Sequence, residues 1–161
     1  MHAEGQNLER KTVKDMDPEN SAVGDCYMHG CNCSEAVLHA FRDRLPFELS
    51  DETMRIATCF GGTGIAKSSL CGALSGSVMV ISLLAGRDGP EGNREPACGY
   101  ACEFGERFVA RFGDNSCKTL QIHEYGTPEQ KGHCKKILVA TDELLEEFLA
   151  EKKLLPAETP R

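Results

Sequence analysis

The most reactive side chains in this sequence are its nine cysteines: Cys26, Cys31, Cys33, Cys59, Cys71, Cys98, Cys102, Cys117 and Cys134. Cytosolic thiols are normally kept reduced. So many cysteines, in a chain without a secretion signal, therefore indicate metal ligation or redox chemistry rather than structural disulfides. Nine is also an odd number, so complete internal pairing is impossible. Three roles are open for these residues: metal ligands, redox thiols and small core side chains.

Four cysteines lie at or near predicted helix starts. They are Cys33 directly after Asn32, Cys71 after Ser68 and Ser69, Cys117 after Asp114-Asn115-Ser116, and Cys134 a few residues into the last helix. Free backbone N–H groups and the positive end of the helix dipole lower the pKa of a nearby thiol. Four such ends can converge on one anion, one metal cluster or each other. Taken singly, each cysteine is explained at least as well as a small buried residue.

The other cysteines give weaker patterns. Cys98 and Cys102 are four residues apart on one predicted helix, so they lie on one face of it. They could be two metal ligands, a thiol pair or two small packed side chains. A disulfide between them is disfavoured by helix geometry. Around the first helix break, Cys31-x-Cys33 is not a common zinc spacing. No CxxC occurs, so neither a thioredoxin-like motif nor a zinc ribbon is indicated.

Glycines and histidines accompany the cysteines. Gly72 and Gly76 lie one turn apart, which predicts close helix packing that leaves room for a ligand beside Cys71. The run at 61–64 is interpreted as a hinge, because no strand precedes it as in a phosphate-binding loop. Four histidines are candidate ligands or bases, with surface or capping positions as the alternative: His29, His39, His123 and His133. The last adjoins Cys134 and is placed to assist thiolate formation.

The elements that position these residues are all predicted to be helices. The first helix runs from Pro18, capped by Asp17, to about His29, and the second starts at Asn32. The third starts at Ser50, and the fourth starts at Ser68 or Ser69 and ends near Ala85. The fifth spans about Glu95 to Phe112, a short sixth starts near Ser116 or Cys117, and the last runs from Thr127-Pro128 to about Leu154. No strand pattern or repeat is visible. The predicted fold is therefore all-α, a compact orthogonal bundle of five to seven helices.

Composition limits the classes of partner. The net charge of −7 argues against binding to nucleic acid or to an anionic membrane, since both favour clusters of Lys and Arg. The polar first residues lack a secretory apolar core, and the apolar stretch 73–85 is too short to span a bilayer. We therefore expect a cytoplasmic protein without membrane insertion. Residues 1–17 are predicted to be a disordered leader, 18–155 one helical domain and 156–161 a frayed tail.

Several motifs resemble one family when taken together. They are Asn32-Cys33-Ser34-Glu35-Ala36-Val37-Leu38, Phe60-Gly61-Gly62-x-Gly64, Cys71-Gly72-Ala73-Leu74-Ser75-Gly76, and then Cys117 and Cys134. In this order they resemble the redox-active family named C_GCAxxG_C_C, over about residues 20–150. The resemblance implies that the family's four cysteines are Cys33, Cys71, Cys117 and Cys134, and its members' frequent proximity to transporter genes implies a transporter association. The remaining cysteines depart from the pattern and leave open a second or larger site.

Three functions follow as hypotheses. The first is an electron-transfer centre in which Cys33, Cys71, Cys117 and Cys134 hold an iron–sulfur cluster or another metal, with Cys98 and Cys102 as further ligands. The second is an oxidoreductase-type protein that holds no cofactor and uses the same four cysteines as redox or redox-sensing thiols. The third is a non-catalytic helical binding module associated with a transporter. The redox partner is not identified by any motif.

Overall fold

A computed structural model describes residues 21–62, 64 and 69–155 of the chain. Seven α-helices form this part: α1 (Ala22–Met28), α2 (Cys33–Arg42), α3 (Asp51–Arg55), α4 (Gly72–Ala85), α5 (Glu95–Phe112), α6 (Cys117–Leu120) and α7 (Pro128–Glu151). A 3-10 turn over Ile56–Cys59 follows α3, and no strand occurs among the described residues. The all-α prediction is confirmed. The leader, the tail and the predicted Asp17-Pro18 helix start lie outside the described residues.

Side-chain caps start α2, α3 and α7 where the sequence predicted them, whereas α1 begins at Ala22 with Ser21 as its cap, later than the predicted start at Pro18. The Asn32 side chain accepts hydrogen bonds from the N–H groups of Ser34 and Glu35, and the Glu35 carboxylate accepts from the Asn32 N–H at 2.9 Å. This reciprocal pair satisfies N–H groups that have no partner within the helix. Ser50 caps α3 and Thr127 caps α7 in the same way, each through one accepted hydrogen bond. Cys33 is thereby fixed as the first residue of α2.

The start of α4 differs from the prediction. The helix begins at Gly72 with Cys71 as its cap residue, not at Ser68 or Ser69. Before the helix begins, the chain forms an isolated antiparallel bridge between Leu70 and Ser116. Backbone pairing with a distant segment therefore competes with helix formation. The end of α7 also differs, because the helix stops at Glu151 rather than near 154, with Lys153 at a positive φ of 56°.

The core lies where α2, α4, α5 and α7 pack together. Its largest fully buried side chains include Phe41 of α2, Phe104 and Phe108 of α5, and Phe148 of α7. The Phe148 ring meets the Phe104 ring edge-on at 5.4 Å between centroids. Burial of these rings supplies a large share of the apolar area that holds the helices together. Within the described residues, no helix is both long enough and apolar enough to cross a membrane.

Gly76 lets α4 lie directly on α2. A Cβ at this position would meet the Ser34 carbonyl oxygen and the Val37 Cβ, both at 2.9 Å. We expect Gly76→Ala to lower the free energy of unfolding by about 1–3 kcal/mol, because backbone and a buried β-branched side chain must shift. Denaturant unfolding followed by circular dichroism measures the change.

Gly105→Ala in α5 is the matched control for that prediction. A Cβ there meets nothing within 4 Å, so the substitution should raise stability by about 0.5–1 kcal/mol through helix propensity alone. Equal effects of the two substitutions would contradict the close packing of α2 and α4.

Candidate functional site

The four cysteines singled out from the sequence come together around one small cavity. Cys33 begins α2, Cys71 caps α4, Cys117 begins α6, and Cys134 lies in the second turn of α7. All four line a cavity of about 20 Å³, and the apolar side chains of Leu120, Ile137 and Leu138 also line it. We call these four residues the cysteine cluster. The predicted N-terminal position holds for the first three, whereas Cys134 lies beyond the first turn of its helix.

Backbone contacts bring the elements of the cluster together. The Cys71 N–H donates to the Asn115 carbonyl at 2.7 Å, and the Cys117 N–H donates to the Ser69 carbonyl at 2.8 Å. These bonds hold Cys71 and Cys117 on adjacent segments. A Cβ at Gly72 would lie 2.7 Å from the Cβ of Cys33, so only glycine lets the start of α4 approach α2 this closely. Gly72, the first glycine of the element 71–76, therefore positions two of the four thiols, those of Cys33 and Cys71.

Cys134 is the cysteine of the cluster whose thiolate is stabilised. Its pKa is lowered from about 9 to about 6, chiefly because the Cys33 thiol donates a hydrogen bond to it. Gln130 donates to the same sulfur from 3.2 Å, and the Tyr27 hydroxyl adds a third hydrogen bond. The charge of His133 contributes as well, in the direction that the sequence predicted. Together these effects outweigh burial, which acts in the opposite direction.

The other three cysteines are held as thiols. The pKa of Cys33 is raised well above 9, first because its thiol donates to Cys134 and second because it is buried. Burial raises the pKa of Cys71 to about 12, and burial also raises the pKa of Cys117. At neutral pH the cluster therefore carries one negative charge, on Cys134.

This distribution corrects the prediction that helix N-termini lower the thiol pKa values of the cluster. Cys71 does accept hydrogen bonds from the N–H groups of Ala73 and Leu74, which lower its pKa, but burial is the larger effect. The lowered pKa belongs instead to Cys134, which has side-chain donors. Desolvation of a thiolate thus exceeds the helix-end contribution at these positions.

The two cysteines of α5, predicted as possible further ligands, lie outside the cavity lining. Cys98 and Cys102 are exposed on α5 and do not line the cavity of the cysteine cluster. Cys59, at the end of the 3-10 turn, is also exposed. These three thiols are accessible to solvent and lie apart from the cluster.

A disulfide joins Cys26 and Cys31, although structural disulfides were not expected from the sequence. Gly30 adopts a φ of +113°, which turns the chain after α1 and brings the two Cα atoms to 5.4 Å, a distance that suits a disulfide. The spacing Cys26-x4-Cys31, with a glycine before the second cysteine, was the signal that sequence reasoning missed. His39 places a ring nitrogen within 4.8 Å of both sulfurs.

The geometry of the cysteine cluster can be tested against a bound metal. Zinc held by thiolates at about 2.3 Å in a tetrahedron needs sulfurs about 3.8 Å apart. Among the described residues, three ligand atoms lie within 4.8 Å of one another at Cys26, Cys31 and His39, and no three cluster sulfurs do. A cavity of about 20 Å³ holds about one water molecule, which is too little for an iron–sulfur cluster. The four cysteine sulfurs of the cluster are therefore suitable metal ligands by type, but they lie too far apart to bind one metal ion in this arrangement.

A larger groove lies along α4, between Ser75 and Leu83. Its volume is about 520 Å³, and its lining includes Ile56, Phe60, Leu70 and Met79. Three of these side chains are large hydrophobic groups exposed to solvent: Ile56, Phe60 and Leu70. Apolar surface of this kind is typical of binding sites and is the feature that favours the binding-module hypothesis.

Comparison with known proteins identifies one family. A family model described as "Putative redox-active protein (C_GCAxxG_C_C)" matches residues 31–148. The match covers well over half of the chain and includes all four cluster cysteines, whereas Cys26 precedes it. No curated protein and no solved structure gives a significant match.

Proposed function

Because the chain belongs to the C_GCAxxG_C_C family, described as redox-active, we propose that the cysteine cluster is a thiol–disulfide redox centre with Cys134 as its nucleophile. The convergence of Cys33 and Cys134 on one cavity carries this proposal, together with the hydrogen bond from the Cys33 thiol that stabilises the Cys134 thiolate. It pairs a stabilised thiolate with a neighbouring thiol, which is the combination that thiol–disulfide exchange requires.

The proposed reaction consumes a disulfide of a partner protein or of a small molecule. The Cys134 thiolate attacks one sulfur of that disulfide, the disulfide bond breaks, and one partner thiolate leaves. Cys33 then loses its proton to the departing thiolate and attacks the Cys134 sulfur of the mixed disulfide. The mixed disulfide bond breaks, and the second partner sulfur leaves as a thiolate that takes a proton from solvent. The products are a Cys33–Cys134 disulfide and two reduced partner thiols, so two electrons pass to the partner.

Cys71 and Cys117 complete the centre in this proposal. Their raised pKa values keep them protonated at neutral pH, so they do not compete with Cys134 as nucleophiles. They remain next to the oxidised pair as thiols. We therefore expect the first oxidation to consume two of the four thiols and to leave Cys71 and Cys117 reduced.

The donor set favours a second candidate, a metal or iron–sulfur centre for electron transfer. Four cysteines from four elements would be its ligands: Cys33, Cys71, Cys117 and Cys134. Thiolates of this number suit zinc or an iron–sulfur cluster, and a cluster would supply one-electron chemistry. Binding would require deprotonation of three buried thiols and rearrangement of the sulfurs. The present geometry therefore favours the thiol–disulfide centre.

One experiment separates the two candidates. The protein is purified without oxygen, its iron and zinc are measured, and its free thiols are counted before and after treatment with a low-molecular-weight disulfide. Exposed thiols are removed first in a triple variant carrying Cys59→Ser, Cys98→Ser and Cys102→Ser. With the Cys26–Cys31 disulfide intact, we expect less than stoichiometric metal and a reversible loss of two cluster thiols per chain.

Two other outcomes would contradict the proposal. Stoichiometric iron or zinc that is lost in Cys71→Ala would establish the metal centre instead. A metal-free protein whose thiol count does not change would exclude both candidates. The transporter association and the cytoplasmic location stay predictions from the sequence.

A further inference from the structure

A second group of ligating side chains lies at the junction of α1 and α2. Cys26 of α1, Cys31 of the connecting turn and His39 of α2 place their sulfur and nitrogen atoms within 4.8 Å of one another. Cys26 and Cys31 are half-buried, and His39 is exposed, so the group is open to solvent on one side. None of the three lines the cavity of the cysteine cluster.

We propose that Cys26, Cys31 and His39 form a redox-gated site for a zinc-type divalent cation, closed when the two cysteines are joined and open when they are reduced. Two thiolates and one imidazole are a known ligand set for zinc, which leaves a fourth position for water. Four residues separate the two cysteines, a spacing that occurs between paired zinc ligands.

The positions of the three residues support this site. The Cα atoms of Cys26 and Cys31 are 5.4 Å apart, so rotation of the reduced side chains suffices to separate the sulfurs to about 3.8 Å, as zinc requires. The turn that joins them is held independently of the disulfide, because the Cys31 N–H donates to the Cys26 carbonyl at 3.0 Å. His39 is fixed by α2, whose start is secured by the Asn32–Glu35 capping box. Two of the three ligands are thus preorganised on helices.

The gating reaction is a two-electron exchange. A low-molecular-weight thiol reduces the Cys26–Cys31 disulfide: two equivalents of the thiol are oxidised to their own disulfide, and two cysteine thiols form. Cation binding then releases the two cysteine protons to solvent, because thiolates are the ligating form. A low-molecular-weight disulfide reverses the exchange: it is reduced to two thiols, the Cys26–Cys31 disulfide forms again and the cation is released. The site would therefore bind metal only under reducing conditions.

Cobalt(II) titration of the full chain, without oxygen, tests the site. The protein is reduced with a phosphine, which is then removed, and thiolate-to-cobalt absorption is followed in the wild type and in His39→Ala. His39 is exposed, so its removal should leave the helical circular dichroism unchanged. We expect His39→Ala to weaken cobalt binding at this site by about ten-fold or more. We also expect Cys26→Ser with Cys31→Ser, and the oxidised wild type, to lack the site.

His29→Ala is the matched control. His29 is also an exposed histidine next to α1, but its ring nitrogen lies 2.8 Å from the Asp25 carbonyl oxygen and outside the group. It should bind cobalt like the wild type. Equal affinities of His29→Ala and His39→Ala, or equal binding by the oxidised and reduced wild type, would overturn the proposal. The His39→Ala protein keeps the cysteine cluster intact, so failure here leaves the thiol–disulfide proposal standing.

Discussion

We expect Cys134 to be the thiol of the cysteine cluster that reacts with iodoacetamide at neutral pH. The substitution Cys134→Ser should therefore abolish this reaction within the cluster. With a pKa of about 6, about nine-tenths of Cys134 is thiolate at pH 7, whereas the other three cluster cysteines stay protonated. Alkylation of each cysteine is measured by mass spectrometry of digested protein from the triple variant background. The labelling rate of Cys134 should rise with pH around a midpoint near 6.

Cys117→Ser is the control for this prediction. Cys117 also lines the cavity, but it is not among the groups that lower the pKa of Cys134. The substitution should leave the rate and midpoint of Cys134 labelling nearly unchanged. Rapid labelling of another cluster cysteine in Cys134→Ser, or a wild-type midpoint close to 9, would show that the stabilised thiolate has been assigned to the wrong residue.

Cys33→Ala is expected to raise the pKa of Cys134 and slow its alkylation at pH 7. The Cys33 thiol is the largest single contributor to the lowered pKa, and alanine removes this donor without adding volume. Gln130→Leu removes a weaker donor and should raise the midpoint by less. The pH dependence of Cys134 alkylation, measured in the wild type, Cys33→Ala and Gln130→Leu, gives the order of the three pKa values. A larger shift in Gln130→Leu than in Cys33→Ala would contradict the thiol–thiolate pair.

The same pair predicts how stability depends on pH. The pKa of Cys134 is lower in the folded chain than its ordinary value of about 9, so the folded state favours the thiolate. Its contribution to the free energy of unfolding is therefore fully present above pH 9 and is lost as the pH falls towards 6. Cys134→Ser lacks this contribution. The stability difference between the wild type and Cys134→Ser should thus be larger at pH 9 than at pH 6, as measured by denaturant unfolding.

Much of the helical framework could be predicted because its signals are local. The capping box at Asn32 and Glu35, the cap at Ser50 and the left-handed Gly113 after α5 each depend on a few neighbouring residues. The membership of the cysteine cluster was predicted from helix starts together with the family resemblance. Spacing alone does not state that α2, α4, α6 and α7 meet at one point.

Two of the missed features depend on contacts between distant segments, and the third depends on a turn. The start of α4 moved to Gly72 because residues 69–71 pair with residues 115–117, a partnership that no local pattern reveals. The stabilised thiolate is Cys134 rather than a cysteine in the first turn of a helix. Cys33 and Gln130 donate hydrogen bonds to the Cys134 sulfur, whereas burial raises the pKa of Cys71. The Cys26–Cys31 disulfide required the turn at Gly30 to be seen in three dimensions. Long-range backbone pairing thus set the start of α4, and desolvation set the protonation of Cys71.

Mapping the first disulfide formed by the cysteine cluster tests the central claim most directly. The triple variant is oxidised with a limited amount of a low-molecular-weight disulfide and digested without reduction, and its linked peptides are identified by mass spectrometry. The thiol–disulfide proposal predicts one linkage between Cys33 and Cys134, absent in Cys134→Ser, while Cys71 and Cys117 remain thiols. A first linkage between Cys71 and Cys117, or a Cys134 thiol that survives oxidation unpaired, would contradict it.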